Sequence, residues 1–319
     1  MNKVLEDIQK IGIVPVVVLD DAADAVPLAK ALIEGGLPLA EVTFRTAAAE
    51  ESIQKMTEAF PDMLVGAGTV LTIENVKKAV AAGAKFIVSP GFNPTVVKYC
   101  VENNIPITPG ASNPSDIERA LEFGLEVVKF FPAEASGGLN MIKSLAAPYT
   151  TVKFMPTGGI GAHNINDYLA FDKILACGGS WMVKGELVKA KDFAKITELT
   201  KEAVMTMLGF ELGHLGINCN DEKEASDTAS SFSSLFGFEN KEGTSSVFAG
   251  TAIEAMKSPY LGAKGHIAIK TNSLNRAVNY LETQGVEFDQ STGKYKNDKL
   301  VAIYMKKEIG GFAIHLLQK

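Results

Sequence analysis

Cysteine is scarce in this chain of 319 residues: Cys100, Cys177 and Cys219 are odd in number, far apart and outside any CxxC spacing. That excludes a disulfide framework and a cysteine zinc site, and leaves three thiols that read as small packing residues. Long apolar runs are missing as well. No stretch reaches the roughly 20 residues needed to cross a bilayer, and the opening Met1-Asn2-Lys3-Val4-Leu5-Glu6-Asp7-Ile8 mixes charge into an amphipathic helix pattern instead of an apolar signal core. A cytoplasmic protein without membrane association is expected. A basic stripe is absent too, the 31 lysines and arginines being scattered among 37 acids for a net charge of -6, so nucleic acid is not an expected partner. A small molecule is.

What the chain does contain, up to about residue 207, is an alternation of short β-branched runs with helix-period segments, the pattern of repeated βα units around a parallel sheet. Eight strands are expected, at Ile13–Leu19, Leu39–Phe44, Leu64–Thr69, Phe86–Pro90, Pro106–Gly110, Val127–Phe131, Val152–Thr157 and Lys173–Cys177. Their spacing of roughly twenty residues predicts an α/β fold of the (β/α)8 TIM barrel type. Gly35-Gly36, Gly83 and Gly124 follow helix-period runs, where a C-cap glycine takes the left-handed conformation. Pro94 and Pro114 suit first-turn positions after the capping residues Asn93 and Asn113. A helix over Lys191–Leu208 closes this region. From residue 209 the pattern changes to a strand, a helix and then several strands in succession, which predicts a second, smaller α+β domain over 209–319, with the polar tract Glu242–Ser246 as a loop.

Lys129 stands in the run Val127-Val128-Lys129-Phe130-Phe131-Pro132. An ammonium among apolar strand residues is costly unless paired or deprotonated, and a neutral amine adds to carbonyls. Such a lysine is either a candidate Schiff-base nucleophile or a strand lysine that snorkels or pairs with a carboxylate. Strand alternation places Glu41, Thr43 and Arg45 on one face, bringing a carboxylate and a guanidinium to the same interior as a catalytic pair or as a space-filling ion pair. The glycines of Gly66-Ala67-Gly68-Thr69, Thr157-Gly158-Gly159-Ile160 and Gly178-Gly179-Ser180-Trp181 fall at the ends of the third, seventh and eighth strands. The last two sets are phosphate-loop candidates, since backbone N–H groups can approach an anion closely where glycine permits.

These segments, together with Glu41-Val42-Thr43-Phe44-Arg45-Thr46, Ser89-Pro90-Gly91 and Lys129-Phe130-Phe131-Pro132-Ala133-Glu134, resemble the class I 2-dehydro-3-deoxy-phosphogluconate (KDPG) and 4-hydroxy-2-oxoglutarate (KHG) aldolases, over residues 1 to about 207. The resemblance implies a homotrimer that cleaves a small 2-keto acid without a cofactor. It implies Lys129 as the Schiff-base residue and Glu41 as the acid/base. Arg45 and Thr69 are then the site of the pyruvyl carboxylate, Pro90, Phe131 and Thr157 substrate contacts, and Gly158, Gly159, Gly178, Gly179 and Ser180 phosphate ligands. Lys184-Gly185 departs from the proline common there, leaving Lys184 as added charge near the phosphate or a solvated surface lysine. The main rival is a phosphate-binding isomerase or synthase on the same architecture, because fold alone does not settle chemistry.

The second domain reads as two βαβββ modules in tandem and resembles the glyoxalase/vicinal-oxygen-chelate superfamily. That resemblance implies divalent-metal ligands at His214, Glu254, His266 and His315, three of the chain's four histidines. His315 stands where a glutamate is more usual. The implied alternatives are a metal-dependent isomerase or lyase, and a noncatalytic binding or assembly module with packed histidines. The remaining histidine, His163, reads as a helix-start surface residue.

Overall fold

The computed structural model describes residues 1–319, and the chain divides into two compact units, Met1–Met207 and Leu208–Lys319. The first holds eight short strands: β1 (Ile13–Val17), β2 (Leu39–Thr43), β3 (Leu64–Gly68), β4 (Ile87–Val88), β5 (Ile107–Thr108), β6 (Val127–Phe130), β7 (Lys153–Pro156) and β8 (Cys177–Gly179). One parallel sheet has the order β5-β4-β3-β2-β1-β8 and a second pairs β6 with β7. Parallel bridges Gly110–Lys129 and Thr157–Gly178 join the two sheets at both ends. The result is a parallel α/β fold in which pairing passes from each strand to the next.

The helices between strands start where the sequence caps them. Asn93 accepts from the amides of Thr95 and Val96, Asn113 accepts from that of Asp116, and Pro94 and Pro114 occupy the first turns that follow. Gly36, Gly83 and Gly124 have positive φ angles, as their positions after helices require. Gly35 does not. It stays in the right-handed region, and a Cβ there would run into the side chain of Thr200.

The helix Lys3–Ile11 supplies Leu5 and Ile8 to a core cluster containing Val14, Leu39, Phe86, Val127 and Leu175, which lie at or just before the amino-terminal ends of their strands. Burying each such aliphatic side chain contributes about 1.5–3 kcal/mol. That end of the strand set is packed largely with hydrocarbon. The eighth strand departs from expectation. It spans Cys177–Gly179 instead of Lys173–Cys177, with only a single bridge from Ile174 to Phe154 upstream. Gly178 and Gly179, expected as a loop after the strand, instead pair with Val14 and Pro15, and glycine is required there because the side chains of Thr157 and Trp181 occupy the space a Cβ would need.

The second unit repeats one element order twice. Strand β9 (Glu211–Asn218), a helix Glu222–Phe236, β10 (Asn240–Glu242), β11 (Ser246–Ala249) and β12 (Ile253–Met256) are followed by β13 (His266–Thr271), a helix Leu274–Thr283, β14 (Phe288–Lys296), β15 (Lys299–Met305) and β16 (Ala313–Gln318). All eight strands form one sheet in the order β10-β11-β12-β9-β13-β16-β15-β14, so the two halves meet along antiparallel β9 and β13. The tract expected as a loop over Glu242–Ser246 is tighter: Glu242 ends β10 and Ser246 begins β11, because both residues pair with neighbouring strands. Ala225, Ala229 and Phe232 of the first helix pack on Ile217, Val247 and Ala255.

Candidate active site and candidate metal centre

In the first unit Lys129 and Glu41 meet. Lys129 Nζ lies 3.1 Å from Glu41 Oε1, with the lysine 5% exposed and the glutamate fully buried. β2 and β6 bring them together from 88 residues apart in sequence. Glu41 therefore pairs with the lysine, and the second carboxylate oxygen, Oε2, is buried without a partner. Glycine at 68 makes the space, because a Cβ there would collide with the Glu41 carboxylate. The ring of Phe131 lies 5.5 Å from Lys129 Nζ.

Around this pair the expected binding residues sit just past the carboxyl ends of their strands: Arg45 after β2, Thr69 after β3, Pro90 after β4, Phe131 after β6, Thr157 after β7 and Ser180 after β8. Arg45 is exposed, and its Nε donates to Thr69 Oγ1 at 3.3 Å. Thr69 has a φ of 55°, which a β-branched residue adopts at a cost of about 1–3 kcal/mol. Strain of that kind is retained where the hydroxyl's position matters. Thr157 Oγ1 is buried with no hydrogen-bond partner, an expense that a polar ligand would relieve. Thr43, on the same strand as Glu41, is accounted for internally by donating to the carbonyl of Val17 at 3.0 Å.

The two phosphate-loop candidates differ in kind. Gly158 and Gly159 form a true loop with φ of 101° and 80°. Their carbonyls accept from Glu134 N at 3.0 Å and Asn164 Nδ2 at 3.1 Å. Gly178 and Gly179 instead lie buried within β8, where Thr157 and the ring of Trp181 take the room a side chain would fill; Ser180 is the first exposed residue beyond. Lys184 is exposed ahead of the helix Gly185–Lys189, and His163 is exposed as well. Glu134 and Tyr168 are contacts without a role in the sequence reading. The Tyr168 hydroxyl donates to Glu134 Oε1, a pairing that thirty-four residues of separation hide from motif inspection.

The second unit gathers His214, Glu254, His266 and His315, carried by the four central strands β9, β12, β13 and β16. The Nε2 atoms of His214 and His266 are 3.1 Å apart, and Glu254 Oε2 lies 3.0 Å from the first and 3.1 Å from the second. One nitrogen from each of the three histidines lies within 4.8 Å of the others. Register explains the convergence. Gly216 stands between Glu254 and His266, and Ala268 between His214 and His315, so every large side chain has a small neighbour across the ladder. Burial pushes the Glu254 carboxyl up, but hydrogen bonds from His214, His266 and Ser246 together outweigh it and hold the group well below the usual range. Burial, with His266 and His214 adding to it, pushes His315 down to about 3. His315 Nε2 is buried without a partner, and its ring stacks on Tyr304 at 4.6 Å.

These residues fit a divalent ion. Ligand atoms about 2.0–2.2 Å from a common centre are spaced by geometry as the observed 3.0 and 3.1 Å contacts are. Three imidazoles with one carboxylate form a donor set for Zn, Mn, Fe, Ni or Co. Ser246 Oγ donates to the other oxygen of Glu254 at 2.7 Å, orienting the carboxylate from behind.

Comparison with known proteins bears on the first unit. The family model for KDPG and KHG aldolases matches residues 4–199. The 2-dehydro-3-deoxy-phosphogluconate aldolase of Treponema pallidum is 51% identical over 204 residues, 64% of this chain and 97% of the relative. The KHG/KDPG aldolase of Escherichia coli K12 is 43% identical over 192 residues, 60% of this chain and 90% of the relative. Among solved structures, KDPG aldolase from Legionella pneumophila, with pyruvate captured as a covalent carbinolamine intermediate, superposes with a TM-score of 0.61 at 38% identity, covering 62% of this chain and 97% of its own.

Proposed function

This chain belongs to the KDPG and KHG aldolase family, and on that premise we propose that residues 1–207, read as a (β/α)8 barrel, form a Schiff-base aldolase. It cleaves 2-dehydro-3-deoxy-6-phosphogluconate to pyruvate and glyceraldehyde 3-phosphate, and 4-hydroxy-2-oxoglutarate to pyruvate and glyoxylate as a further reaction. The observation that carries the reading is the buried 3.1 Å contact between Lys129 Nζ and Glu41 Oε1, ringed by polar residues at the strand ends where barrel enzymes place their sites.

A proton passed from Lys129 to Glu41 leaves an amine that adds to the C2 ketone. Glu41 returns that proton to the carbinolamine hydroxyl, which leaves as water, so that a protonated imine able to accept electrons forms and Glu41 is again a carboxylate. Glu41, directly or through a water, takes the proton of the C4 hydroxyl, the C3–C4 bond breaks, and the aldehyde departs. The remaining enamine takes a proton at C3, and hydrolysis of the imine releases pyruvate and restores Lys129. Arg45 and the Thr69 hydroxyl hold the pyruvyl carboxylate, for which a planar guanidinium fork is well matched. Pro90, Phe131 and Thr157 contact the carbon chain, while Gly158, Gly159 and Ser180 take the phosphate, with Gly178 and Gly179 shaping the wall behind them. The steps balance without metal, nucleotide or redox partner, so no cofactor is assigned to this unit. A homotrimer in the cytoplasm belongs to the same reading. Its test is pyruvate release from synthetic KDPG in a coupled assay, with Lys129→Met as the inactive control; absence of cleavage by the native chain would overturn it.

For residues 209–319, the doubled β-α-β-β-β order supports a vicinal-oxygen-chelate-like module. A divalent ion there would be held by His214, Glu254, His266 and His315. Such an ion would supply Lewis-acid polarisation of a ligand oxygen. The chain's own part is to fix the donors, through Ser246 on Glu254 and Tyr304 stacked on His315. Metal content of the purified chain tests this directly: a metal-free protein that takes up no divalent ion would favour a noncatalytic assembly module.

A further inference from the structure

Glu134 and Tyr168 take no part in the aldol steps, yet they make a tightly constrained polar contact in the first unit. Tyr168 is 1% exposed, and its hydroxyl donates to Glu134 Oε1. Burial, and behind it the hydrogen bond to Glu134, raises that hydroxyl further above its ordinary range, so the phenol is the donor and the carboxylate the acceptor. The stem of Glu134 lies against the glycine loop: a Cβ on Gly159 would stand 2.5 Å from Glu134 Cγ. Gly138 is small for the same reason, since a Cβ there would lie 3.1 Å from both Glu134 Oε1 and the Tyr168 hydroxyl.

The loop is therefore pinned from two sides. Glu134 N donates to the carbonyl of Gly158, and Asn164 holds the carbonyl of Gly159 at 3.1 Å while accepting from Gly161 N at 2.9 Å. With the carbonyls engaged and the glycine N–H groups making no hydrogen bond within the chain, the loop keeps its donors for an anion. An unrestrained carboxylate beside that loop would repel a phosphate. Tied to a buried phenol, the same carboxylate braces the loop.

We propose that the Tyr168–Glu134 pair is the positioning device of the phosphate loop and so sets the preference for a phosphorylated aldol. The proposal rests on the aldolase reading and deepens it. Neither residue is placed in the bond-making steps, which gives the test its contrast.

Tyr168→Phe removes only the hydroxyl. In the full chain it should raise KM for KDPG about tenfold, the scale of losing a hydrogen bond to a charged group, and weaken competitive inhibition by inorganic phosphate by a similar factor. Exchange of pyruvate methyl protons, which uses Lys129 and Glu41 but no phosphate, should stay within about twofold. Glu134→Ala should behave like Tyr168→Phe, whereas Glu134→Gln, which keeps the acceptor oxygen and the stem, should restore KM and phosphate inhibition. Equal losses in KDPG cleavage and pyruvate exchange would reduce the pair to general packing, and unchanged KM with unchanged phosphate inhibition would remove it from the loop's function. A native chain that exchanges pyruvate protons without cleaving KDPG would instead overturn the substrate reading on which the proposal stands.

Discussion

Gly68→Ala tests the placement of Glu41 without touching a reacting group. A Cβ at this position would stand 2.7 Å from Glu41 Cγ and 2.8 Å from Cδ, and would overlap Oε1. The backbone itself tolerates alanine, since Gly68 lies in β3 with no positive φ. The carboxylate is fully buried and tied to Lys129 at 3.1 Å, so relief of the clash requires it to move by about an ångström away from the amine. Misplacement on that scale costs on the order of 100-fold in rate, whereas overpacking costs about 1–3 kcal/mol of stability. Pyruvate release measured by a coupled assay should therefore show kcat reduced about a hundredfold in a protein that still melts cooperatively. Because aspartate is shorter by one methylene, Gly68→Ala added to Glu41→Asp should cost little beyond Glu41→Asp alone, a non-additivity expected of touching residues. A Gly68→Ala enzyme with native kcat and native melting temperature would refute the claim that the position of this carboxylate governs the reaction.

Glu41→Gln should slow both cleavage and exchange of pyruvate methyl protons while leaving the imine trappable; normal turnover would remove its acid/base role. Arg45→Ala should lower kcat/KM by roughly ten- to a hundredfold through lost carboxylate binding, the scale of a hydrogen bond to a charged group, and a change confined to kcat would contradict that assignment. Residues 1–207 produced alone should fold and cleave KDPG, because every proposed aldolase residue lies in the compact unit Met1–Met207; a folded but inactive fragment would show that the remaining residues shape the site. The full chain should bind about one divalent ion in equilibrium dialysis, and the paired change His214→Ala/His266→Ala should abolish that binding, since too few donors would remain. Undiminished binding would place the ion elsewhere.

Most of the strand set and the buried lysine of the candidate site were legible because their signals are local. β-branched runs, asparagine caps and glycines at helix ends fix the elements, and a lysine amid Val128 and Phe130 announces itself within five residues. The eighth strand was misplaced by composition: Gly178-Gly179 carries turn chemistry, and only the side chains of Thr157 and Trp181 filling the space beside it explain glycine in a strand. The partner of Glu41 was likewise not local. Alternation placed it on the face shared with Arg45, but pairing across the strand set gave it to Lys129 instead. Tyr168 escaped notice because a tyrosine in a short helix carries no pattern; its meaning comes from contact with Glu134. In the second unit the histidines were visible, but not the small residues Gly216 and Ala268 whose ladder positions let them converge.

The central claim is that Lys129 forms the covalent bond to substrate. Incubation of the chain with pyruvate and borohydride, followed by mass spectrometry of its peptides, measures this directly. The account predicts irreversible inactivation, a reduced three-carbon adduct on Lys129, and no adduct in Lys129→Met. An adduct on another lysine, with full activity retained in Lys129→Met, would contradict it.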